Sequence, residues 1–170
     1  KLGEIFSAEL LNEIAALMSA RVLPSQALPQ LLLSFPHKEE WTLDRLNWHL
    51  DLAIPKRDEI PGVQAFALID DLQPRGGATL AIAGSHQLPY KGDGSAIPLL
   101  KAHPVLKTLF EGKTTADDLF RPHKIEGIDV QLVEMSGRAG DVYLMDMRVL
   151  DRKSTRLNSS HTDISRMPSS

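Results

Sequence analysis

The sequence predicts a mainly β fold with flanking helices, an antiparallel sandwich or barrel such as a jelly roll. Two observations predict it: one amphipathic helix near the N-terminus is followed by many short strand-like runs, and Gly/Pro turns separate those runs. There is no internal repeat. With 170 residues the chain amounts to about one domain, long enough to bury a core.

Taken in order, Ser7 is a candidate N-cap for a helix reaching about Arg21. Leu10, Leu11, Ile14, Leu17 and Met18 recur at helical spacing, and Glu4 and Glu9 lie near its start. Pro24 and Pro29 break the pattern. Gln30 to Phe35 is short, apolar and bounded by prolines, which reads as a strand. Leu46 to Leu52 reads as another, closed by Pro55. Gly62 to Ile69 is a nearly continuous apolar run of the kind buried inside a sandwich. Pro74-Arg75-Gly76-Gly77 is a turn, Ala78 to Ala83 a short strand, and Gly84-Ser85-His86 its end. From Gln87 to about His123 prolines, glycines and short helical patches alternate, at Ala102 to Leu109 and Thr115 to Phe120. That stretch, about 87–127, reads as an inserted lid or loop. Strand character returns at Ile128 to Glu134 and at Asp141 to Met147.

Bulk properties narrow the function. A formal net charge of −3 argues against nucleic-acid or other polyanion partners, which need a concentrated basic face. No apolar run approaches the roughly 20 residues that span a bilayer, so no membrane partner is expected. The chain has no cysteine, which leaves no disulfide scaffold, thiolate metal site or cysteine nucleophile. Metal chemistry here must use His, Asp and Glu. No secretion signal is visible, the chain opens at Lys1 rather than Met, and a cytoplasmic location is the default expectation.

The residues best placed for chemistry are His49 and Asp51. Two apart on a strand, they point to the same face. An imidazole and a carboxylate so placed can grip one edge of an octahedral metal. A second histidine would complete the two-His, one-carboxylate facial triad of iron(II) oxygenases, with three positions left open. The same spacing also arises by chance as a surface histidine beside a solvated carboxylate.

The order of the surrounding motifs favours the metal. Trp48-His49-Leu50-Asp51 is followed by Pro61-Gly62-Val63-Gln64-Ala65-Phe66, then Gly76-Gly77-Ala78-Thr79-Leu80, Gly84-Ser85-His86 and Gly140-Asp141-Val142. This series resembles the phytanoyl-CoA dioxygenase family of iron(II)/2-oxoglutarate oxygenases, over roughly Leu31 to Leu150. The resemblance implies a double-stranded β-helix, the jelly roll of cupin-like proteins. It implies Fe(II), with 2-oxoglutarate as cosubstrate and dioxygen, and hydroxylation of an aliphatic carbon of a small-molecule substrate, a metabolite or an acyl-CoA. His49 and Asp51 take the places of the first two iron ligands. Phe66 falls where relatives place an aromatic bordering the 2-oxoglutarate pocket, although an ordinary core role suits it equally. Gln30 is placed to face the cosubstrate. Trp48 points away from His49 and reads as core.

His86 offers a rival third ligand with His49 and Asp51, but the Gly-Ser-His turn of the family is structural or lies at the pocket mouth. His37, His103 and His123 read as surface residues. Counting forward from Gly140-Asp141-Val142, the distal histidine is due at 151, where Asp151 stands instead. The arginine that would pair with the far carboxylate of 2-oxoglutarate is also missing from its place. Arg152, Arg156 and Arg166 are not assigned that role, and Arg148 reads as a surface or lid-contacting charge.

The stretch from Asp151 to Ser170 is polar and without period. From Asp151 to His161 it coincides with a translated sequencing-library adapter, as does Ser165 to Ser170. Residues 151–170 are therefore expected to be a non-native, disordered tail on a domain incomplete at its C-terminus. The chain itself is then expected to have little activity, and catalytic residues beyond the metal ligands are not assigned. The competing class is a non-catalytic jelly-roll binding module, in which the His49/Asp51 pair is incidental.

Overall fold

In the computed structural model the described residues are 7–18, 22, 31–32, 43, 48–50, 61–90, 95–111 and 117–152. The chain divides into two compact units, residues 1–33 and 34–170.

In the first unit, helix α1 (Ala8–Met18) begins where the capping rule places it. The Leu10 amide donates to Ser7 Oγ at 3.2 Å, and the Leu11 amide donates to the Ser7 carbonyl at 3.1 Å. The side chain and main chain of Ser7 together satisfy two amides of the opening turn. Ile14 is buried and Leu10 and Leu11 are half-buried, so the apolar stripe turns inward as its spacing predicts. Leu31 and Leu32, expected within a strand, carry no regular structure and are exposed. The remainder of that expected strand, Gln30 included, lies outside the described residues.

The second unit is mainly β, as the sequence predicts, with two antiparallel sheets and a few short helices. One sheet pairs β1 (Val63–Ala67) with β5 (Val142–Asp146), Ala65 opposite Leu144. The other contains β2 (Leu80–Ala83), β3 (His123–Ile125), β4 (Ile128–Glu134) and β6 (Leu150–Arg152), in the order β3-β4-β2-β6. Its main face presents Leu80, Ile82, Val130, Leu132, Ile125 and Leu150 to the principal core.

The other side of that core comes from the stretch expected to be a lid. Helices α2 (Ile97–Ala102) and α3 (Thr108–Glu111) and a 3-10 turn over Asp117–Phe120 lie within 87–127. From this stretch Leu88, Leu100, Leu106, Leu109 and Leu119 are fully buried against the sheet, and Trp48 Nε1 donates to the Leu109 carbonyl at 3.3 Å. The insertion is thus a structural layer, and its end, β3, joins the sheet. Turns of one or two windings show too little periodicity for the buried leucines to stand out from sequence.

The run Gly62 to Ile69 also differs from expectation. All of β1 is half-buried rather than fully enclosed, because its outer face, with Val142 and Leu144 of β5, is open to solvent. Its inner face carries Phe66, which with Tyr143 packs on a smaller cluster of Ala81, Met135, Met145 and Val149.

The Gly-Asp-Val motif has a local explanation. Gly140 sits at φ 93°, the left-handed region that suits glycine, and the Asp141 carboxylate accepts the Arg138 amide at 2.8 Å. The Gly140 amide donates to the Leu68 carbonyl and the Leu68 amide to the Asp141 carbonyl, at 2.8 and 2.9 Å. The motif therefore delivers β5 into register beside β1.

The boundary expected at Leu150/Asp151 is not a structural boundary. Leu150, Asp151 and Arg152 form one strand, opposite Ile82, Ala81 and Leu80 in turn, and all three are buried. Backbone pairing is indifferent to side chains, and β2 offers an open edge that any extended segment can satisfy. Residues 153–170 lie outside the described residues.

Candidate functional site

His49 and Asp151 face one another across the next position of the second sheet. They form an isolated antiparallel bridge in which the His49 amide donates to the Asp151 carbonyl at 3.3 Å and the Asp151 amide to the His49 carbonyl at 3.2 Å. Opposed residues in an antiparallel pair project to the same side. Accordingly His49 Nε2 lies 3.8 Å from Asp151 Oδ1. The two ends differ in solvation: the His49 side chain is 49% exposed, that of Asp151 only 7%.

Ala81 is the register partner of Asp151 on β2, so the pair occupies the sheet face that bears the smaller cluster rather than the principal core. Phe66, predicted to border a cosubstrate pocket, packs on that same cluster. The structure thus places Phe66, His49 and position 151 on a common side of the sheet. Asp51 and Gln30, the other predicted site residues, lie outside the described residues. Among the described residues no three His, Asp or Glu side chains converge in a way that could hold a metal ion.

The donor set can still be tested against a metal. With bonds of about 2.1 Å, two neighbouring ligands on one octahedral ion stand about 3 Å apart. An imidazole nitrogen and a carboxylate oxygen at 3.8 Å are within a small side-chain adjustment of that spacing. They are hard and borderline donors of the kind iron(II) accepts, and the bridge fixes their backbones. His49 and Asp151 fit two sites of such an ion. Asp51, two residues from His49, supplies a second carboxylate, and so a third donor, in the sequence.

Arg152 alternates to the opposite face, beside Leu80 and Leu150 in the principal core. It is 3% exposed, and burial pushes its guanidinium down to about 10. It points away from the His49 side and cannot meet a ligand bound there.

His86 lies in a different electrostatic setting. Burial holds its imidazole below the ordinary value, Asp146 opposes that effect and Arg148 adds to it. Arg148 is itself paired with Asp146, Nη2 to Oδ2 at 2.5 Å, and its side chain is largely buried. Burial raises the Asp146 carboxyl, but the hydrogen bonds and charge of Arg148 outweigh it and hold the group below its usual range. His103 and His123, expected to be surface residues, stack edge to face with ring centroids 5.1 Å apart. Both are half-buried.

The residue that sequence reasoning passed over is Ser85. It is 1% exposed and its Oγ accepts the Leu150 amide at 2.9 Å, one residue before Asp151. The Gly-Ser-His motif marked the turn, but no local pattern signals a bond between residues so far apart in the chain. Comparison of the chain with models of known families, with curated proteins and with solved structures finds no match.

Proposed function

We propose that this chain carries the jelly-roll scaffold of a non-haem iron(II)/2-oxoglutarate oxygenase of the phytanoyl-CoA dioxygenase type, with aspartate in place of the distal histidine. The observation that carries this reading is the His49–Asp151 bridge. Position 151, reached by counting from Gly140-Asp141-Val142, stands beside His49 with the two side chains 3.8 Å apart.

The finer fold reading rests on how the strands are distributed. From β1 to β6 the chain crosses between the two sheets and back, with every pairing antiparallel, as the strands of a jelly roll do. When bound, iron(II) with 2-oxoglutarate and dioxygen would supply the oxidising power to hydroxylate an aliphatic carbon of a metabolite or acyl-CoA. His49 and Asp51 would hold the metal, position 151 would close the set, and Phe66 would keep one wall of the site apolar and dry. The ligand set as it stands is one imidazole and two carboxylates. It is expected to bind iron(II) weakly, because one nitrogen donor of the usual triad is replaced.

The test is Asp151→His, with metal affinity followed by the visible absorption of Co(II) as a stand-in for Fe(II). One equivalent should bind at least tenfold more tightly than in the parent chain, and His49→Ala should abolish the gain. Equal affinity in parent and Asp151→His chains would refute the oxygenase reading and favour a non-catalytic binding module.

A further inference from the structure

We propose that Ser85 is a positioning residue: its hydroxyl pins the register of β6 and so determines which side chain of that strand faces His49. The importance of that choice for chemistry rests on the metal-site reading above; the pin itself rests on geometry alone.

Among the described residues, strand β6 is three residues long and is held by β2 on one side and by the His49–Asp151 bridge on the other. Side chains alternate with a period of two, so a slip of one residue would turn Asp151 into the principal core and bring Leu150 or Arg152 to His49. A pairing this short specifies register poorly, and each face carries a charged residue, Asp151 on one and Arg152 on the other, so side-chain polarity does not decide which face is buried. Something must index the strand.

Ser85 is built to do so. Its Oγ accepts the amide of Leu150, the first residue of β6, in a buried bond. The turn that carries it is fixed on two sides. Gly84, at φ 82°, lies so close to the Asp129 carbonyl of β4 that a β-carbon would collide with it. On the other side the Leu88 amide donates to the Ser85 carbonyl at 3.2 Å, and Leu88 is fully buried in the core. The hydroxyl therefore stands at a position set by β4 and by the core, independent of β6, and only one residue of β6 can present its amide there when Asp151 faces His49.

The chain has no cysteine, so register can be read by disulfide trapping. Paired residues of a hydrogen-bonded antiparallel bridge have Cα atoms about 5.5 Å apart, inside the range of roughly 4.4–6.8 Å that a disulfide spans. Two double variants, His49→Cys with Asp151→Cys and His49→Cys with Arg152→Cys, are oxidised in a glutathione buffer and their cross-linking rates compared. With Ser85 in place the 49–151 pair should close at least tenfold faster than 49–152. Ser85→Ala should reduce that preference at least fivefold, and Ser85→Thr, which keeps the hydroxyl, should retain it. Leu109→Ala, a core change that leaves the hydroxyl in place, serves as the control for general destabilisation. The proposal is overturned if Ser85→Ala leaves the preference intact, or if Leu109→Ala erodes it equally. No metal enters this assay, so a failure of Co(II) binding by Asp151→His would remove the oxygenase reading and leave the register pin standing.

Discussion

Replacing Arg152 by methionine should stabilise the protein, although it deletes a charged residue from a strand. Arg152 is 3% exposed on the sheet face that carries Leu80, Ile82 and Leu150. Burial lowers its guanidinium to about 10, which at about 1.4 kcal/mol per pH unit of depression is a cost of roughly 3 kcal/mol for keeping the charge. That figure is an upper bound, since the residue also has partners whose bonds return part of it. Methionine keeps an unbranched stem to fill the space and removes the charge. A net gain of about 1–2 kcal/mol follows, or a rise in Tm of roughly 3–8 °C for a chain of this size. The sign with pH is definite. A cation whose folded pKa is depressed binds fewer protons folded than unfolded from about pH 10 up to its ordinary range, so stability rises with pH across that window and the cost is fully present below it. Differential scanning calorimetry at pH 7 and above pH 10 measures both effects as the difference between the two chains. An unchanged or lower Tm for Arg152→Met at pH 7 would refute the reasoning, because the guanidinium would then be fully repaid where it sits.

Two further outcomes follow from the layer at 87–127 and its histidines. Leu109→Ala should cost about 2–5 kcal/mol, the usual range for emptying a fully buried leucine site, measured by urea unfolding; a loss below about 1 kcal/mol would return the segment to the status of a detachable lid. His103 Nδ1 accepts the amides of Val105 and Leu106, both at 3.3 Å, and a protonated ring cannot. Burial first and His123 second hold its imidazole below 6.5. The stability it contributes is thus complete above pH 6.5 and is lost as pH falls below that value. His103→Asn, whose side-chain oxygen can accept the same amides without titrating, should match the parent's Tm at pH 8 and exceed it at pH 5. Parallel Tm curves for the two chains would show that His103 has no part in the acid response.

The elements legible in the sequence were those whose signal is local. Ser7 announces α1 because an N-cap needs only its own hydroxyl and the next turn. Ile128–Glu134 is legible because its alternation is long enough to read, with Val130 and Leu132 buried and Asp129 exposed within the strand. Legibility failed where burial depends on distant partners. The apolar run of β1 looked enclosed, yet enclosure requires a second layer over its outer face, and no residue within the run reports one. The converse holds for the excursion after Gln87. Its prolines and glycines punctuate very short helices, and five leucines that complete the principal core are scattered one or two per turn. Composition there describes how the chain bends, whereas the core is decided by which face of each bend meets β2 and β4.

The site shows the same division more sharply. Counting from the Gly-Asp-Val turn identified position 151 as special because the turn, β5 and the Asp146–Val149 reversal have fixed lengths, and the Val149 amide closing on the Asp146 carbonyl at 2.9 Å preserves that count. The chemistry of Asp151 and Arg152 argued instead that the fold had already ended. Both inferences concern the same residues, and the structure separates them. Strand pairing is made by backbone amides, so β6 pairs with β2 although two of its three side chains are charged; the side chains set what that pairing costs and what it presents. Here it presents a carboxylate to His49 on one face and buries a guanidinium on the other. A strand that evolved for this sheet would be expected to carry an apolar residue at 152, where Arg152 now bears a depressed pKa. The stress on Arg152 and the placement of Asp151 are therefore two readings of one fact: the scaffold specifies position 151 from outside the strand, through Ser85, β2 and His49, and accepts whichever residue arrives there.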